Sequence, residues 1–237
     1  MISIIIPTLN EANYLPKLLE DLKNRPLPQH EIIVSDGHSK DNTVKIARQM
    51  GCKIVTHPKK AKKGPAIQRN EGAKIAKGEL LLFLDADTQL PKHFFKLVLR
   101  EFKQRKLDVA GFYFEFNNPG LKYKINSKII QWGLFLFHRI RPVSVGAAIL
   151  VKKSYHQKVN GFNSKIKIGE DHDYAARIKK AGGKYGLIRS KRIIFCTRRM
   201  EQEGFLKVFL EWKIMSFILF GPLKHNSVNY KFGEYDH

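Results

Sequence analysis

The chain has 237 residues, and 43% of them are hydrophobic, which suits one folded α/β domain and excludes a disordered basic tail. Its 43 lysines and arginines outnumber 21 acidic residues, and the net charge of +22 indicates an anionic partner: nucleotide phosphates, nucleic acid or an acidic membrane surface. The two cysteines, Cys52 and Cys196, lack metal-ligand spacing, which argues against a disulfide scaffold or zinc site and favours a reducing compartment.

The termini and apolar runs lead us to expect a cytoplasmic protein. The N-terminus has no basic region ahead of a long apolar run, so we expect no signal peptide. No window reaches the roughly 20 uninterrupted apolar residues that a membrane-spanning helix needs.

The first half of the chain alternates short apolar runs with helical patterns. Predicted strands cover 3–6, 31–35, 53–56 and 80–84, and predicted helices cover 14–22, 43–50 and 65–77. Gly51 suits the left-handed position after a helix, and Pro65 suits the first turn of one. Continuous apolar strands separated by helices predict a mainly parallel sheet with helices on both faces.

The second half is less regular. It predicts strands at 109–116, 145–151 and 192–196, helices at 124–137 and 170–181, and a last apolar helix at 205–220. No low-complexity linker divides the chain, so we expect one α/β domain carrying a C-terminal apolar helix.

Two carboxylates follow the apolar strand at 80–84. Asp85 and Asp87 are two residues apart, so on an extended segment they face the same way. Their charges repel unless a cation lies beside them, and Mg²⁺ or Mn²⁺ suits oxygen ligands completed by substrate phosphates. The plainer alternative is that one of them caps a helix beginning near Pro91. Since ligands of such sheets bind at the carboxyl ends of the strands, the metal–phosphate interpretation is favoured.

A second acidic cluster lies within 169–173, just ahead of a predicted amphipathic helix. Acids at a helix N-terminus interact favourably with the helix dipole, which explains one or two of Glu170, Asp171 and Asp173. The alternative is that one of these carboxylates is a general base. The spacing alone does not separate the two interpretations.

Five motifs in order resemble family 2 glycosyltransferases of the nucleotide-sugar-binding GT-A type. They are Ile4-Ile5-Ile6-Pro7-Thr8-Leu9-Asn10-Glu11, Ser35-Asp36-Gly37, Gln68-Arg69-Asn70-Glu71-Gly72, Leu84-Asp85-Ala86-Asp87 and Gly169-Glu170-Asp171. The match is close over 2–91 and looser from 145 to 199. The resemblance implies a single Rossmann-like GT-A domain over 1–237: a nucleotide-sugar-binding half (1–91), an acceptor and catalytic half (92–203), and an apolar helix with a tail (204–237).

The resemblance also implies roles for particular residues. Those expected to bind the nucleotide sugar are Pro7, Leu9, Asn10, Glu11, Asp36, Arg69, Asp85, Ala86, Arg198 and Arg199. Asp85 and Asp87 would hold Mn²⁺ or Mg²⁺, joined by Gln89 as in the polyprenyl-phosphate sugar transferases of the family. Asp171 would be the catalytic base of an inverting transfer. The Gln-x-x-Arg-Trp signature of processive synthases is absent from the sequence.

The acceptor and its surroundings are less defined. Two apolar stretches, 125–137 and 205–220, suit contact with an anionic membrane surface, and a lipid or lipid phosphate acceptor would follow. The alternative is that both stretches belong to the core or to a subunit interface.

A rival interpretation from another class, a basic nucleic-acid-binding module, draws on the charge and on the lysine run at 59–63. Against it, the acids collect at strand ends, where a phosphate backbone would be repelled.

Overall fold

A computed structural model of the chain describes residues 1–56, 64–137, 142, 146–166, 169–205 and 207–208. The strands are β1 (Ile2–Thr8), β2 (His30–Asp36), β3 (Lys53–Thr56), β4 (Leu80–Leu84), β5 (Val109–Phe116), β6 (Ala148–Lys152) and β7 (Tyr185–Phe195). The helices are α1 (Leu15–Lys23), α2 (Thr43–Gln49), α3 (Pro65–Ile75), α4 (Phe94–Gln104), α5 (Leu121–Phe137), α6 (Lys153–Lys158), α7 (Glu170–Lys180) and α8 (Arg198–Glu203).

The seven strands form one sheet in the order β3-β2-β1-β4-β6-β5-β7. Only β6 runs against its neighbours β4 and β5, and every other pair is parallel. The predicted α/β class with a mainly parallel sheet is therefore confirmed.

Side chains of β1 pack on both faces of the sheet, as its continuous apolar sequence predicts. Ile4 and Ile6 belong to a large core cluster that includes buried residues of α1 and α4. Ile5 belongs to a second cluster, on the side of α3 and α7. This two-sided burial excludes water from the ladder hydrogen bonds of the central strands.

The register of the central strands brings three strand ends to one edge. Thr8, the last residue of β1, lies opposite Asp36, the last residue of β2. On the other side of β1, Phe83 of β4 lies opposite Ile5. The loops that follow β1, β2 and β4 therefore begin side by side.

Two glycines act for different reasons. Gly51 follows α2 with φ of 79°, the left-handed backbone expected from the sequence. Gly78 instead allows close approach, because a Cβ there would lie 2.6 Å from the backbone nitrogen of Ser3.

The second half departs from the predicted boundaries. β7 begins at Tyr185 and not at 192, and its middle carries the exposed residues Arg189 and Ser190. It is the last strand of the sheet, and β5 is its neighbouring strand, so its sequence lacks the apolar continuity of a central strand. The short helix α6 was not predicted, and α5 begins at Leu121, ahead of the predicted 124.

Two sequence features lie wholly or partly outside the described residues. The lysine run at 59–63 does, and so does most of the apolar stretch 205–220, of which only 205, 207 and 208 are described. Val208 is buried beside Tyr123 and Met200. In the described part of the chain, no helix combines the length and apolar character that crossing a bilayer requires.

Candidate active site

Asp36, at the end of β2, holds the first two loops of the site together. Its carboxylate accepts hydrogen bonds from the Thr8 hydroxyl, at 3.0 Å, and from the Ser39 hydroxyl and backbone N–H, the latter at 2.9 Å. The side chain is buried. Three donors on one carboxylate stabilise its charge, so the burial is compensated.

Asn10 continues this network from the β1 side. It has a left-handed backbone with φ of 56°, and its N–H donates to Ser39 Oγ at 2.8 Å. Its side-chain carbonyl accepts from the N–H of Lys40 at 2.9 Å. Asparagine tolerates this conformation better than most residues, which gives a local reason for its position. Pro7 and Leu9, on either side of Thr8, are both buried.

Arg198, the first residue of α8, reaches back to the β1 loop. Its guanidinium donates to both carboxylate oxygens of Glu11 at 3.2 Å and lies 3.6 Å from Asp87 Oδ2. Its Cζ is 4.3 Å from the ring centroid of Tyr14, a cation–π geometry. A cationic group thus lies between the loop after β1 and the acidic motif after β4. Arg199 follows it in α8, and its side chain lies outside the described part.

The segment after β4 alternates between exposed and buried side chains. Asp85, Asp87 and Gln89 are partly exposed, whereas Ala86 and Thr88 are buried. The three predicted metal ligands therefore share access to solvent. Neither aspartate caps a helix, because α4 begins at Phe94 and no side chain caps it.

The backbone of this segment is fixed from two sides. The N–H of Asp85 donates to the carbonyl of Ala147 at 3.0 Å. Gln89 exchanges two backbone hydrogen bonds with Ile194 of β7, of 3.1 and 3.0 Å. The candidate metal ligands are held by main-chain contacts that do not depend on their own side chains.

Arg69 of α3 lies beneath the acidic motif and is only 2% exposed. Its Nη1 donates to Glu170 Oε1 and its Nη2 to Asp85 Oδ1, each at 2.8 Å, and Nη2 also reaches the carbonyl of Gly146 at 3.0 Å. Burial raises the pKa of Glu170 and of Asp85, and Asp171 adds to both shifts while Arg69 opposes them. Arg69 therefore balances the negative charge that these carboxylates concentrate.

The three acids at the start of α7 have different surroundings. Glu170 pairs with Arg69, and Asp173 pairs with Arg177 one turn later at 2.7 Å. Asp171 is buried and accepts a hydrogen bond from the N–H of His172 at 2.9 Å. Glu170 and Asp173 thus each pair with an arginine, as the interpretation of structural acids at a helix N-terminus expects. Among the described residues, no ion pair of Asp171 is found, and its described hydrogen bond is to a backbone N–H.

Gly146 brings the two acidic groups into one place. A Cβ at this glycine would lie 3.4 Å from Arg69 Nη2 and 3.5 Å from Asp171 Oδ2. Since the same guanidinium contacts Asp85, the carboxylates of Asp85 and Asp171 both lie close to one arginine and one glycine. The sequence-predicted base and metal ligands therefore belong to a single site.

The donor set of the site fits a hard divalent cation. Asp85 and Asp87 offer carboxylate oxygens, with side chains 34% and 21% exposed. Within the described residues, no group of three or more His, Cys, Asp or Glu side chains forms a complete metal site. Mg²⁺ and Mn²⁺ are commonly held by one or two carboxylates and completed by water and substrate phosphates, which matches this arrangement.

Sequence reasoning missed two parts of the site. It expected Arg69 to bind the donor and did not predict the ion pair of Arg69 with Glu170. It also did not name Gly146 or Ala147 as part of the site. The pairing of Arg69 and Glu170 joins residues that are 101 positions apart, which no local pattern shows. A usable signal was the pair of adjacent acids at 170 and 171, since two buried carboxylates need a nearby cation.

The family model for glycosyl transferase family 2 matches residues 3–158, which include β1 to β6 and the acidic motif after β4. The chain belongs to this family. The resemblance drawn from the sequence is confirmed, and the fold is the GT-A fold expected from it.

Individual relatives are similar over most of this chain. An uncharacterized glycosyltransferase of Haemophilus influenzae is 27% identical over 186 residues, covering 75% of this chain and 62% of its own length. The S. aureus TarS fragment 1–349 in complex with UDP-GlcNAc superposes with a TM-score of 0.61 at 22% identity, covering 82% of this chain and 58% of that one.

A second solved structure comes from an archaeon. The mannosyltransferase PcManGT of Pyrobaculum calidifontis, in complex with GDP-Man and Mn²⁺, gives a TM-score of 0.63 at 18% identity, covering 82% of this chain and 56% of that one. At such identities the likeness is one of fold. The chain spans about three fifths of the length of these relatives.

Proposed function

We propose that this chain transfers a sugar from a nucleoside diphosphate sugar to an acceptor, with inversion at the anomeric carbon and with a divalent metal ion. The observation that carries the proposal is the arrangement around Arg69, which places Asp85 and Asp171 in one site beside Asp87 and Arg198. Family membership and the complexes of fold neighbours with UDP-GlcNAc and GDP-Man support a nucleotide-sugar donor.

The nucleoside end of the donor would lie at the loops after β1 and β2. Asn10 and Asp36 are joined there through Ser39, Asp36 also accepts from Thr8, and the N–H of Glu11 donates to the Thr43 hydroxyl at 2.8 Å. Pro7 and Leu9, on either side of Thr8, are buried at the start of this loop. Direct contact of these residues with the base and ribose is a prediction, as is contact of Arg69 with the donor.

The diphosphate end would lie at Asp85-Ala86-Asp87. A divalent ion held by Asp85 and Asp87, and in the proposal by Gln89, would neutralise charge on the departing diphosphate. Arg198 is poised to add positive charge from α8, since its guanidinium already lies 3.6 Å from Asp87. Arg199 is proposed for the same side of the diphosphate.

Asp171 is proposed as the general base. The acceptor oxygen forms a bond to the anomeric carbon while the bond from that carbon to the diphosphate oxygen breaks. The acceptor proton passes to Asp171, and the nucleoside diphosphate leaves. Arg69 keeps Glu170 occupied in an ion pair beside Asp171, so the site retains one carboxylate for the proton. Help of this kind contributes typically ~10²–10⁴ in rate.

The acceptor is proposed to be a lipid or lipid phosphate presented at an anionic membrane surface, with the protein on its cytoplasmic face. The net charge of +22 supports such a surface. A lipid phosphate oxygen is already anionic near neutral pH because its second pKa is about 6, so it would need less help from Asp171.

The test is a donor-hydrolysis screen with UDP-, GDP- and dTDP-sugars, each with Mn²⁺, with Mg²⁺ and with a chelator. One nucleotide class should be hydrolysed with metal and not with chelator. The matching nucleoside diphosphate with Mn²⁺ should also raise the melting temperature. If an oligonucleotide raises it and no nucleotide with metal does, the rival nucleic-acid interpretation replaces this proposal.

A further inference from the structure

Helix α5 exposes an unusual number of large apolar side chains. Leu121 and Trp132 are 72% and 71% exposed, and Ile125, Ile129, Phe135 and Leu136 are between 49% and 55% exposed. These six side chains are called the α5 apolar face below. Exposed apolar residues that occur singly need no explanation, but a group of this size on one helix marks a contact surface.

The six side chains form a stripe along one side of the helix. Residues 121, 125, 129, 132 and 136 follow each other at intervals of four or three, and Phe135 borders them. The opposite side is already used, because Tyr123 and Ser127 are buried. Helix α5 is therefore apolar on two sides, of which one is buried against the described part of the domain and the other is exposed.

The charges around this stripe all have the same sign. Lys122, Lys124 and Lys128 are exposed, and the sequence of α5 contains no Asp or Glu. Long lysine side chains can cover apolar surface while their ammonium groups reach into water or to phosphate groups. A partner for this face must therefore be apolar in its interior and anionic at its edge.

The position of α5 connects this face to the active site. It follows β5, which is parallel to β7 and lies in the same sheet as the site strands. Just before α5, Asn118 donates to Glu201 of α8 at 3.0 Å, and Thr197 donates to Asn117 at 2.9 Å. The start of α5 is thus tied to the helix that carries Arg198.

We propose that the α5 apolar face docks on the surface of an anionic lipid bilayer, with α5 lying in the plane of the interface. A helix of 17 residues is about 25 Å long, which gives a flat contact beside the site. Trp132 would lie at the level of the headgroups, where tryptophan is enriched, and Lys124 and Lys128 would pair with anionic headgroups. Lys122 is not counted among them, because its ammonium lies over the rings of Tyr123 and Phe205 on the other side of the helix.

Two other occupants fit the face less well. A second copy of the chain would bring the same lysines against each other with no acidic residue of α5 to pair with them. The C-terminal segment leaves the described part of the chain on the other side of α5, where Phe205 lies 5.3 Å from the buried Tyr123 ring and Val208 is buried.

The docking itself is independent of the proposed reaction, whereas its consequence for the acceptor rests on the proposed function. If the chain is a glycosyltransferase, a bilayer on α5 would present acceptors whose reactive group lies at the headgroup level. The proposal therefore specifies a membrane-embedded acceptor with an interfacial hydroxyl or phosphate.

The first experiment is vesicle co-sedimentation of the full chain. We compare vesicles of phosphatidylcholine mixed with phosphatidylglycerol against vesicles of phosphatidylcholine alone. Ile129→Gln/Trp132→Gln should weaken binding to the anionic vesicles by roughly tenfold or more, since two large apolar side chains no longer enter the bilayer. Ile75→Gln, at an exposed isoleucine of α3, is the matched control and should bind like the wild type.

The second experiment uses Trp132 as a probe. The chain has two tryptophans, so Trp212→Phe leaves Trp132 alone. Its fluorescence should be quenched readily by acrylamide without vesicles, and should shift to the blue and become protected when anionic vesicles are added. Protection without vesicles would mean that the chain or a second copy covers the face, and would overturn the proposal.

The remaining outcomes are equally decisive. Equal binding of wild type and Ile129→Gln/Trp132→Gln to anionic vesicles removes α5 from the role. A dimer in solution that this double variant dissociates would make the face a subunit interface and refute bilayer docking. Donor hydrolysis measured without vesicles tests the proposed function separately. Ile129→Gln/Trp132→Gln and Ile75→Gln should both retain this hydrolysis, because neither changes a residue of the candidate active site.

Discussion

Arg69 joins the acidic motif after β4 to the first turn of α7 by two hydrogen bonds, each 2.8 Å long, to Asp85 and to Glu170. The guanidinium is buried, and its Cζ lies 5.4 Å from the centroid of the Phe162 ring. The candidate metal ligand and the helix that carries the candidate base are therefore positioned against one side chain. Their geometry depends on it.

Arg69→Met should destabilise the protein strongly. Removing the cation leaves the buried Glu170 and the partly exposed Asp85 without compensation, and breaking a buried pair such as that of Arg69 and Glu170 costs about 3–5 kcal/mol. The measurement is the free energy of unfolding from urea titration. Adding Glu170→Gln should recover part of the loss, because it removes one of the two unpaired charges.

The control for this variant is Arg192→Met. Arg192 pairs with Glu115 at 2.7 Å, but both side chains are about half exposed, and such pairs contribute no more than about 1 kcal/mol. If the two variants lose equal stability, the network around Arg69 does not have the role described.

Asp87→Asn should abolish the stabilisation by Mn²⁺ plus the matching nucleoside diphosphate. Asp87 is preferable to Asp85 for this test, because Asp85 also pairs with Arg69 and its loss would disturb the core of the site. The melting temperature with and without metal and nucleotide gives the answer. Asp21→Asn, at an acid of α1 that pairs with Arg25, is the matched control and should respond as the wild type does. A full metal-dependent response in Asp87→Asn would count against the metal site.

Asp171→Asn should lower kcat by ~10²–10⁴ while the donor dissociation constant stays near the wild-type value. The amide is isosteric and cannot take the acceptor proton. Asp173→Asn is the matched control on the same helix, since Asp173 pairs with Arg177. A similar loss of donor binding and turnover would exclude Asp171 as the base, whereas a small loss of kcat would indicate an acceptor that is already ionised.

The sequence was informative where local patterns control structure. The continuous apolar run of β4 predicted a strand buried on both faces. The two-residue spacing of Asp85 and Asp87 predicted that they face the same way, and both are partly exposed while Ala86 between them is buried. Gly51 and Pro65 also lie where helix-end chemistry places them. These features depend on neighbours in the chain.

The remaining features depend on contacts between distant segments. The assignment of Arg69 to Glu170 requires α3 and α7 to pack on the same face of the sheet, which only the folded chain establishes. The length of β7 was underestimated because an edge strand tolerates polar residues such as Arg189. The role of Asp36 in joining two loops likewise follows from the register of β1 and β2.

His156 should make stability fall as the pH is lowered. It is buried among Phe83, Phe162 and Tyr174, and its Nδ1 lies 2.7 Å from the Tyr174 hydroxyl. Burial lowers the pKa of His156 from 6.5 to about 4, and the charges of Arg177 and Lys153 add to this shift. Since the unfolded chain takes up the proton first, this contribution is complete above about pH 6.5 and is lost as the pH falls towards 4.

The size of this effect is about 3 kcal/mol across that range. It is measured as the free energy of unfolding at several pH values for wild type and His156→Gln, and the pH dependence should be flatter in the variant. His30→Gln is the matched control, because His30 is exposed and its Nδ1 lies 2.9 Å from the carbonyl of Pro28. Parallel curves for wild type and His156→Gln would show that His156 accepts a proton in the folded protein as easily as in the unfolded chain, and the packing around Phe83 would then have to admit water.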